Sequence, residues 1–577
     1  SVIGRHEVLR TVFKEDEKGE VRQWILSKEE LGFKIDYKDL RKEKDREEKV
    51  KQYIDQDSNR AFDLENGPLL RAALLQVEDE EYVFYYNMHH IISDGWSMDV
   101  LSRDVFAYYE AYKLNIEPEL KPLRIQYKDY SAWQLSQIEE ESFSVHRNYW
   151  LNSLKGELPL LNLPSTKQRP RLKTYNGNSL STYINSSTTH KLKEYSLDNG
   201  GSLFMSLLAG WNILMYRYTS QTDIIIGTPV AGREHSDLED QIGFYVNALA
   251  LRNEINPDES FNSFYRELKE NTLKSYSHQM YPFDRLVEEL DLHRDTSRSP
   301  VFDVSLAFQD NKENTQESDL SEEELNRVTD LGFSTSKFDI RLNVQQAGHC
   351  LFLHMVYNPD IYDHVVIEGL MRHYKRLLEA LMDQPEIKLS EVEYLTGEEK
   401  KNLLFSFNDT KVDYPKDKTI VELFESQVKK TPENVAVVCG ERKLTYRELD
   451  ERSNQLAHHL RESYGISRED LVGIQLERSE WMIVSILGIL KAGGAYVPID
   501  PEYPSSRKEY IVNDTKIKLL ITEVNFIHDI DYYQGEVFAI DVEFDSERYS
   551  SEKLSSASGS DNLAYVIYTS GSTGNPK

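Results

Sequence analysis

The chain has 577 residues, and its 98 acidic against 68 basic side chains give a formal charge of −30, which excludes a surface built to hold nucleic acid or anionic lipid. The length suits three or four lobes of roughly 100–200 residues each. The two cysteines, Cys350 and Cys439, lie far apart in differently patterned segments, so neither a disulfide framework nor a zinc site is indicated, no metal is expected, and a reducing cytoplasmic setting is.

The opening Ser1-Val2-Ile3-Gly4-Arg5-His6-Glu7 has no apolar core of a signal peptide. Arg5 to Phe13 reads as a helix running toward a strand, with Arg5 and Arg10 near each other on one face. Residues 41–57 alternate in charge and read as a surface helix. Pro68 to Leu75 leads into a strand beside Tyr82-Val83-Phe84-Tyr85-Tyr86, whose continuous β-branched and aromatic run suits a strand buried on both faces. Asn87-Met88-His89-His90-Ile91-Ile92-Ser93-Asp94-Gly95-Trp96-Ser97 follows. Beyond Gly95, Trp96, Val100, Leu101, Val105, Tyr108 and Tyr109 recur at helical intervals, with Ser93 or Asp94 available as N-cap. Two histidines therefore sit where a strand gives way to a helix. An imidazole fixed there can act as a general base near neutral pH, and Gly95 admits a ligand close to the backbone. A bare His-His pair is more often structural. The chain carries its own control in Ala457-His458-His459-Leu460, which reads as the surface of a charged helix.

Residues 135–175 are polar, punctuated by Pro159, Pro164 and Pro170, and read as a crossover between lobes. Ser179 to Ile184 alternates like a strand, and Leu203 to Tyr218 reads as a buried helix. Between them, Asp198-Asn199-Gly200-Gly201-Ser202 resembles a phosphopantetheine attachment site but lacks the residue that separates glycines from serine, and reads as a turn and cap. Asp223 to Arg233 is a buried strand ending in a Gly/Pro loop that carries a cation. The apolar window Met482 to Leu490 is broken by Lys491 and Gly493-Gly494, well short of the roughly 20 residues that span a bilayer. At the end, Tyr565 to Tyr568 reads as a strand. The loop Thr569-Ser570-Gly571-Ser572-Thr573-Gly574-Asn575-Pro576-Lys577 behind it offers backbone N–H groups and hydroxyls to a polyphosphate. Its spacing is not that of a P-loop NTPase.

The spacing His-His-x-x-x-Asp-Gly occurs with five other motifs in order. They are Arg5-His6-Glu7-Val8-Leu9-Arg10-Thr11-Val12-Phe13, Tyr127-Lys128-Asp129-Tyr130-Ser131-Ala132-Trp133-Gln134, Ile242-Gly243-Phe244-Tyr245-Val246-Asn247, His278-Gln279-Met280-Tyr281-Pro282-Phe283-Asp284 and Arg294-Asp295-Thr296-Ser297-Arg298-Ser299-Pro300. With these the chain resembles the condensation domains of nonribosomal peptide synthetases. Leu444 to Leu449, Leu490 to Asp500 and the closing loop resemble the start of an adenylation domain of the acyl-adenylate-forming superfamily.

The resemblance implies an α/β fold of two chloramphenicol-acetyltransferase-like lobes in a V, residues 1–165 and 166–388, then a linker over 389–418 and a truncated α/β adenylate-forming subdomain over 419–577. It implies amide formation between a donor acyl or peptidyl thioester and the α-amine of an acceptor aminoacyl thioester, each on the phosphopantetheine of an upstream or downstream carrier domain. His90 is the implied base, His89 a structural neighbour, and the Gly95 N–H an aid to the oxyanion. Asp94 is implied to pair with Arg233, Arg5 and Arg10 to frame the lobe, and Asn247 to support the site. The condensation step needs no bound cofactor. ATP and Mg²⁺ serve only a complete adenylation domain, whose phosphate loop is Thr569, Ser570, Gly571, Ser572, Thr573, Gly574 and Lys577. The family's first core motif lies upstream of residue 1, and the chain stops inside a motif at Lys577, as in a fragment of a longer synthetase. Two alternatives stay open: an epimerising relative with the same motif, and a silent module that only docks carriers. The Asp-rich motif of the heterocyclising relative is absent.

Overall fold

At the N-terminus a helical turn over Val2–Arg5 stops at His6, a 3₁₀ turn covers Glu7–Arg10, and strand β1 follows over Thr11–Glu15. The single helix expected through this stretch is interrupted because His6 takes extended backbone, φ −105° and ψ 107°, and sinks its ring onto Asp104. Local periodicity does not register a partner 98 residues away. The structure, a computed structural model, describes all residues except 139, 141–142, 291, 293–294, 310–328, 331–334, 556–557 and 570–577. The chain divides into two units, Ser1–Leu404 and Phe405–Lys577.

The first unit opens with β1 paired antiparallel to β2 (Val21–Ile25). A three-stranded sheet follows in the order β3 (Ile35–Asp39), β4 (Leu70–Gln76), β5 (Tyr82–Met88), with β3/β4 parallel and β4/β5 antiparallel. The helix Arg46–Ser58 buries no residue, as its charge pattern requires. Strand β5 is not buried on both faces: it is the sheet's edge, and Tyr82 and Phe84 are 47% and 42% exposed. Aromatic and β-branched residues suit an edge as well as a centre, so composition alone misassigns it.

The crossover comes early in the stretch expected for it. Phe143, and Trp150 and Leu154 from the helix Ser144–Ser153 and its C-cap, already pack into the core of the second lobe. That core lies against a seven-stranded sheet ordered β10-β6-β12-β11-β9-β7-β8, comprising β6 (Asn178–Ile184), β7 (Asp223–Val230), β8 (Asn247–Glu254), β9 (Val304–Gln309), β10 (Thr329–Asp330), β11 (Ile340–Ala347) and β12 (Cys350–Tyr357). The helices Leu203–Thr219, Phe261–Ser277 and His364–Asp383 pack together, with Trp211, Phe261, Leu268, Tyr374 and Leu377 fully buried. Ser202 caps the first of these helices through the Met205 N–H, the turn-and-cap role read from the sequence. Leu389 and Val392, inside the stretch expected as linker, are fully buried in the same core. The Leu389 N–H donates to the Glu259 carbonyl at 3.0 Å. Continuous exposure begins only at Leu403 and runs through Lys418.

The second unit is α/β. Four parallel strands run in the order Ala495–Pro498, Leu471–Gln475, Leu519–Thr522, Glu536–Ala539. The apolar window Met482 to Leu490 lies within the helix Glu480–Ala492, whose Val484, Leu487 and Ile489 are buried. Among the described residues no helix is long and apolar enough to cross a membrane. His459 is not surface: it is buried against Phe538 and Tyr549, on the inward face of the capped helix Tyr446–Tyr464.

Candidate active site

Strand β5 delivers the two histidines. His89 stays extended, at φ −67° and ψ 136°, and a 3₁₀ turn over His90–Ile92 bends the chain into the helix Gly95–Leu114. Asp94, not Ser93, is its N-cap, accepting from the Ser97 N–H at 2.8 Å. The bend gives the two imidazoles different tautomers. His90 Nδ1 lies 2.5 Å from the Ser93 carbonyl. A carbonyl only accepts, so Nδ1 carries the proton and Nε2 keeps its lone pair. His90 is exposed, with its ring edge-on to Phe244 at 5.1 Å between centroids. His89 does the reverse: its Nδ1 accepts from the Ile91 N–H at 3.0 Å, and its ring meets Phe62. Burial, then the neighbouring His90, hold the His89 imidazole below its ordinary value.

Beneath the histidines, Asp94 and Arg233 form an ion pair with side chains 3% and 1% exposed and Arg233 Nη2 at 3.1 Å from Asp94 Oδ1. Asp94 Oδ2 also accepts from the Tyr245 N–H at 3.1 Å. Arg233 Nη1 donates to the Leu238 carbonyl and, at 2.8 Å, to that of Gln241, while its guanidinium lies 4.2 Å from the centre of the Tyr245 ring. Ser97 completes the cluster. Its Oγ accepts from Arg233 Nη2 and the Gly243 N–H, both at 3.1 Å, and its one proton goes to Asp94 Oδ1 at 2.6 Å or the Gly243 carbonyl at 2.9 Å. Trp96 Nε1 donates to the Glu239 carbonyl, and the Tyr127 hydroxyl to that of Phe244. The loop after β7 is thus latched onto the first lobe, and Phe244 is set beside His90. Gly95 opens the helix, and a Cβ there would meet nothing within 4 Å, so that side of the backbone is uncrowded.

The other expected residues do not meet at this point. Arg5 donates from Nε to Asp104 Oδ2 at 2.9 Å, and the fully buried Asp104 also accepts from His6 Nε2 at 2.8 Å and Arg103 Nη2 at 2.9 Å. Burial pushes the Asp104 carboxyl up, but hydrogen bonds from His6 and Arg103 bring it below the usual range. Arg10 instead donates to the Leu26 carbonyl at 2.6 Å, so the two arginines do not share a face. Asn247 begins β8 and splints two motifs: its amide donates to the carbonyls of Gln279 and Tyr281 at 2.8 and 2.7 Å and accepts from the Phe283 N–H at 3.0 Å. Thr569 is exposed, while Ser570, Gly571, Ser572, Thr573, Gly574 and Lys577 lie outside the described residues, as does Arg294. Ser97, Phe244 and Asp104 went unassigned from sequence. Ser97 and Phe244 lie within quoted motifs, but Asp104 has no local signal beyond a charge at a helix position facing inward.

The Condensation domain family model matches residues 1–404. The chain belongs to the condensation-domain family. A second model, AMP-binding enzyme, matches residues 424–577 behind this condensation domain. Bacitracin synthase 1 of Bacillus licheniformis is 40% identical over 578 residues, covering 100% of this chain and 11% of that protein. Tyrocidine synthase 3 of Brevibacillus parabrevis is 38% identical over 575 residues, covering 99% of this chain and 8% of that protein. The chain thus spans about a tenth of the length of these relatives. A crystal structure of a four-domain nonribosomal peptide synthetase bound to AMP and glycine matches in fold with a TM-score of 0.76 at 24% identity, over 99% of this chain and 43% of that one.

Proposed function

We propose that this condensation domain forms the amide bond of nonribosomal peptide synthesis with His90 as its base. One observation carries the reading: His90 Nδ1 is committed to the Ser93 carbonyl, which leaves a basic Nε2 on an exposed ring above the buried Asp94–Arg233 pair. The donor acyl group arrives as a thioester on the phosphopantetheine of an upstream carrier domain, and the acceptor amine on that of a downstream one. An α-amine with a pKa of about 7.7–8.0 is partly neutral near pH 7.5 and needs no full deprotonation. It attacks the thioester carbonyl, the C–N bond forms, and Nε2 accepts the proton that the nitrogen then carries. Collapse breaks the C–S bond, and the proton passes to the leaving thiolate. The Gly95 N–H, at the positive end of the Gly95–Leu114 helix, faces the developing oxyanion. Asp94 and Arg233 position this turn and do not touch substrate. The step uses no metal or bound cofactor. ATP and Mg²⁺ belong to adenylation, and no step of this reaction runs through them. The setting is the cytoplasm, the compartment that a count of two widely spaced cysteines suits.

The test supplies a donor acyl thioester and an aminoacyl thioester on separate carrier domains and follows the acceptor's intact mass. Addition of the donor mass is expected, slowed about 10²–10⁴-fold in His90→Ala, the usual worth of a general base. The His90→Ala melting temperature should be unchanged, because the ring is exposed. No transfer from any donor while both carriers still bind would overturn the reading in favour of docking alone. Inversion of the α-carbon without mass transfer would assign epimerisation instead.

A further inference from the structure

Away from the histidines, the second lobe carries a cavity of about 540 Å³ on the sheet face formed by β11 and β12. Strand alternation builds it. Leu342 and Val344 are fully buried in the core, so Arg341, Asn343 and Gln345 project to the opposite face. Asn343 and Gln345 lie across from His354 and Phe352 of β12 in the antiparallel register. Lys337 stands at the rim. Among the described residues no aspartate or glutamate lines the cavity, in a chain with a formal charge of −30.

Arg341 sets this cavity apart. Its Nε donates to Asn343 Oδ1 at 2.8 Å, and among the described residues its guanidinium makes no ion pair and its two Nη atoms have no acceptor. Every other deeply placed arginine discussed above has a carboxylate or several carbonyls. Burial pushes the Arg341 guanidinium down, yet arginine stays charged in proteins. A half-buried cation whose four Nη–H donors have no acceptor among the described residues is left to solvent or to a ligand. Burial, then the Arg341 charge, hold His354 below its ordinary value, so the imidazole beside it adds no competing charge at neutral pH.

We propose that this cavity binds an oxyanion carried by a thioester-linked ligand, and that Arg341 is the residue that receives it. The planar guanidinium fork fits a carboxylate or phosphate through paired hydrogen bonds. The Gln345 amide and Lys337 supply further donors, and Phe352 supplies an apolar wall. The oxyanion has two possible sources, a side-chain carboxylate on the acyl or aminoacyl group and the phosphate of the pantetheine arm. This inference rests on the condensation reading for the kind of ligand, but its test needs no turnover.

Binding to the 577-residue chain is measured for two matched pairs: the N-acetylcysteamine thioesters of N-acetyl-aspartate and N-acetyl-asparagine, and 4′-phosphopantetheine against pantetheine. The anionic member of one pair should bind about tenfold more tightly at low salt, the scale of one charge-assisted hydrogen bond. Which pair responds identifies the source. The preference should shrink with added salt, persist in part in Arg341→Lys, vanish in Arg341→Gln and survive intact in His90→Ala. Loss of a half-buried cation that has no counter-charge among the described residues should leave the melting temperature of Arg341→Gln unchanged or higher. Equal affinities within both pairs, no binding of either anion, or a preference that outlives Arg341→Gln would overturn the proposal. If Arg341→Gln does not fold, Arg341→Lys and the wild-type salt dependence decide it. Failed mass transfer alongside an intact Arg341 preference would sink only the condensation reading, and the reverse result only this one.

Discussion

Asp94 and His90 are four residues apart and answer to different physics. His90 is exposed and anchored by one hydrogen bond, whereas Asp94 is buried and joins both lobes through Ser97, Arg233 and the Tyr245 N–H. Removing the carboxylate leaves the Arg233 guanidinium buried without its counter-charge, so Asp94→Ala should cost about 3–5 kcal/mol of unfolding free energy. Urea denaturation checks this. The double variant Asp94→Ala/Arg233→Met should recover part of that loss, and a cost no greater for Asp94→Ala than for His90→Ala would contradict the account. Lost activity in an Asp94 variant therefore reports on architecture before chemistry. The sequence made the motif legible because its spacing is local. The partner cation was legible only through family resemblance, and the Ser97 bridge to Gly243, 146 residues away, was not legible at all.

At the scale of elements, the site depends on how the loop after β7 turns. Gly232 sits at φ +64°, and a Cβ there would stand 2.1 Å from the Tyr245 carbonyl oxygen. An L-residue pays about 1–2 kcal/mol for that backbone alone, and the clash must also push the loop away from Asp94. Gly232→Ala should thus lower the melting temperature and slow mass transfer together, although residue 232 touches no substrate. Wild-type melting and rate in this variant would refute the latch. Sequence periodicity found β6, β7 and the helix Leu203–Thr219 because each is a long, strongly patterned segment. It failed where a tertiary partner overrides the local signal. His6 breaks a helix to reach Asp104, and β5 lies at an edge that its apolar run does not reveal.

At the scale of the whole chain, the boundary after the condensation domain and the acid stability of its first unit are both testable. Composition read residues 389–418 as linker because they are charged, yet Leu389 and Val392 are core, a fact that charge content cannot carry. Exposure runs unbroken from Leu403 to Lys418 and includes Phe405, Phe407 and Tyr414 at 67%, 71% and 65%. Limited chymotrypsin digestion should therefore cut there first, and mass spectrometry should find fragments ending between residues 403 and 418. First cuts upstream of Leu389 would move the boundary. The acid response follows from the histidines. His6, His89, His278, His354 and His373 of the first unit are all held below their ordinary value, with burial the leading cause in each. His278 also faces His146 with Nδ1 to Nδ1 at 3.0 Å, a contact that accommodates one proton but not two. In the unfolded chain these imidazoles titrate near 6.5, so below about that pH the unfolded state binds more protons than the folded one. Stability is then complete above about pH 6.5 and falls as pH falls, most through the buried His6 and His373 and less through the partly exposed His89 and His278, which solvent screens. In the second unit only His459 is held down in this way among the described residues. Calorimetry between about pH 7.5 and 5.5 should therefore show the transition of the first unit moving down steeply and that of the second unit much less. A pH-independent first transition would mean that these histidines find compensating acceptors when protonated, as His6 does in part at Asp104.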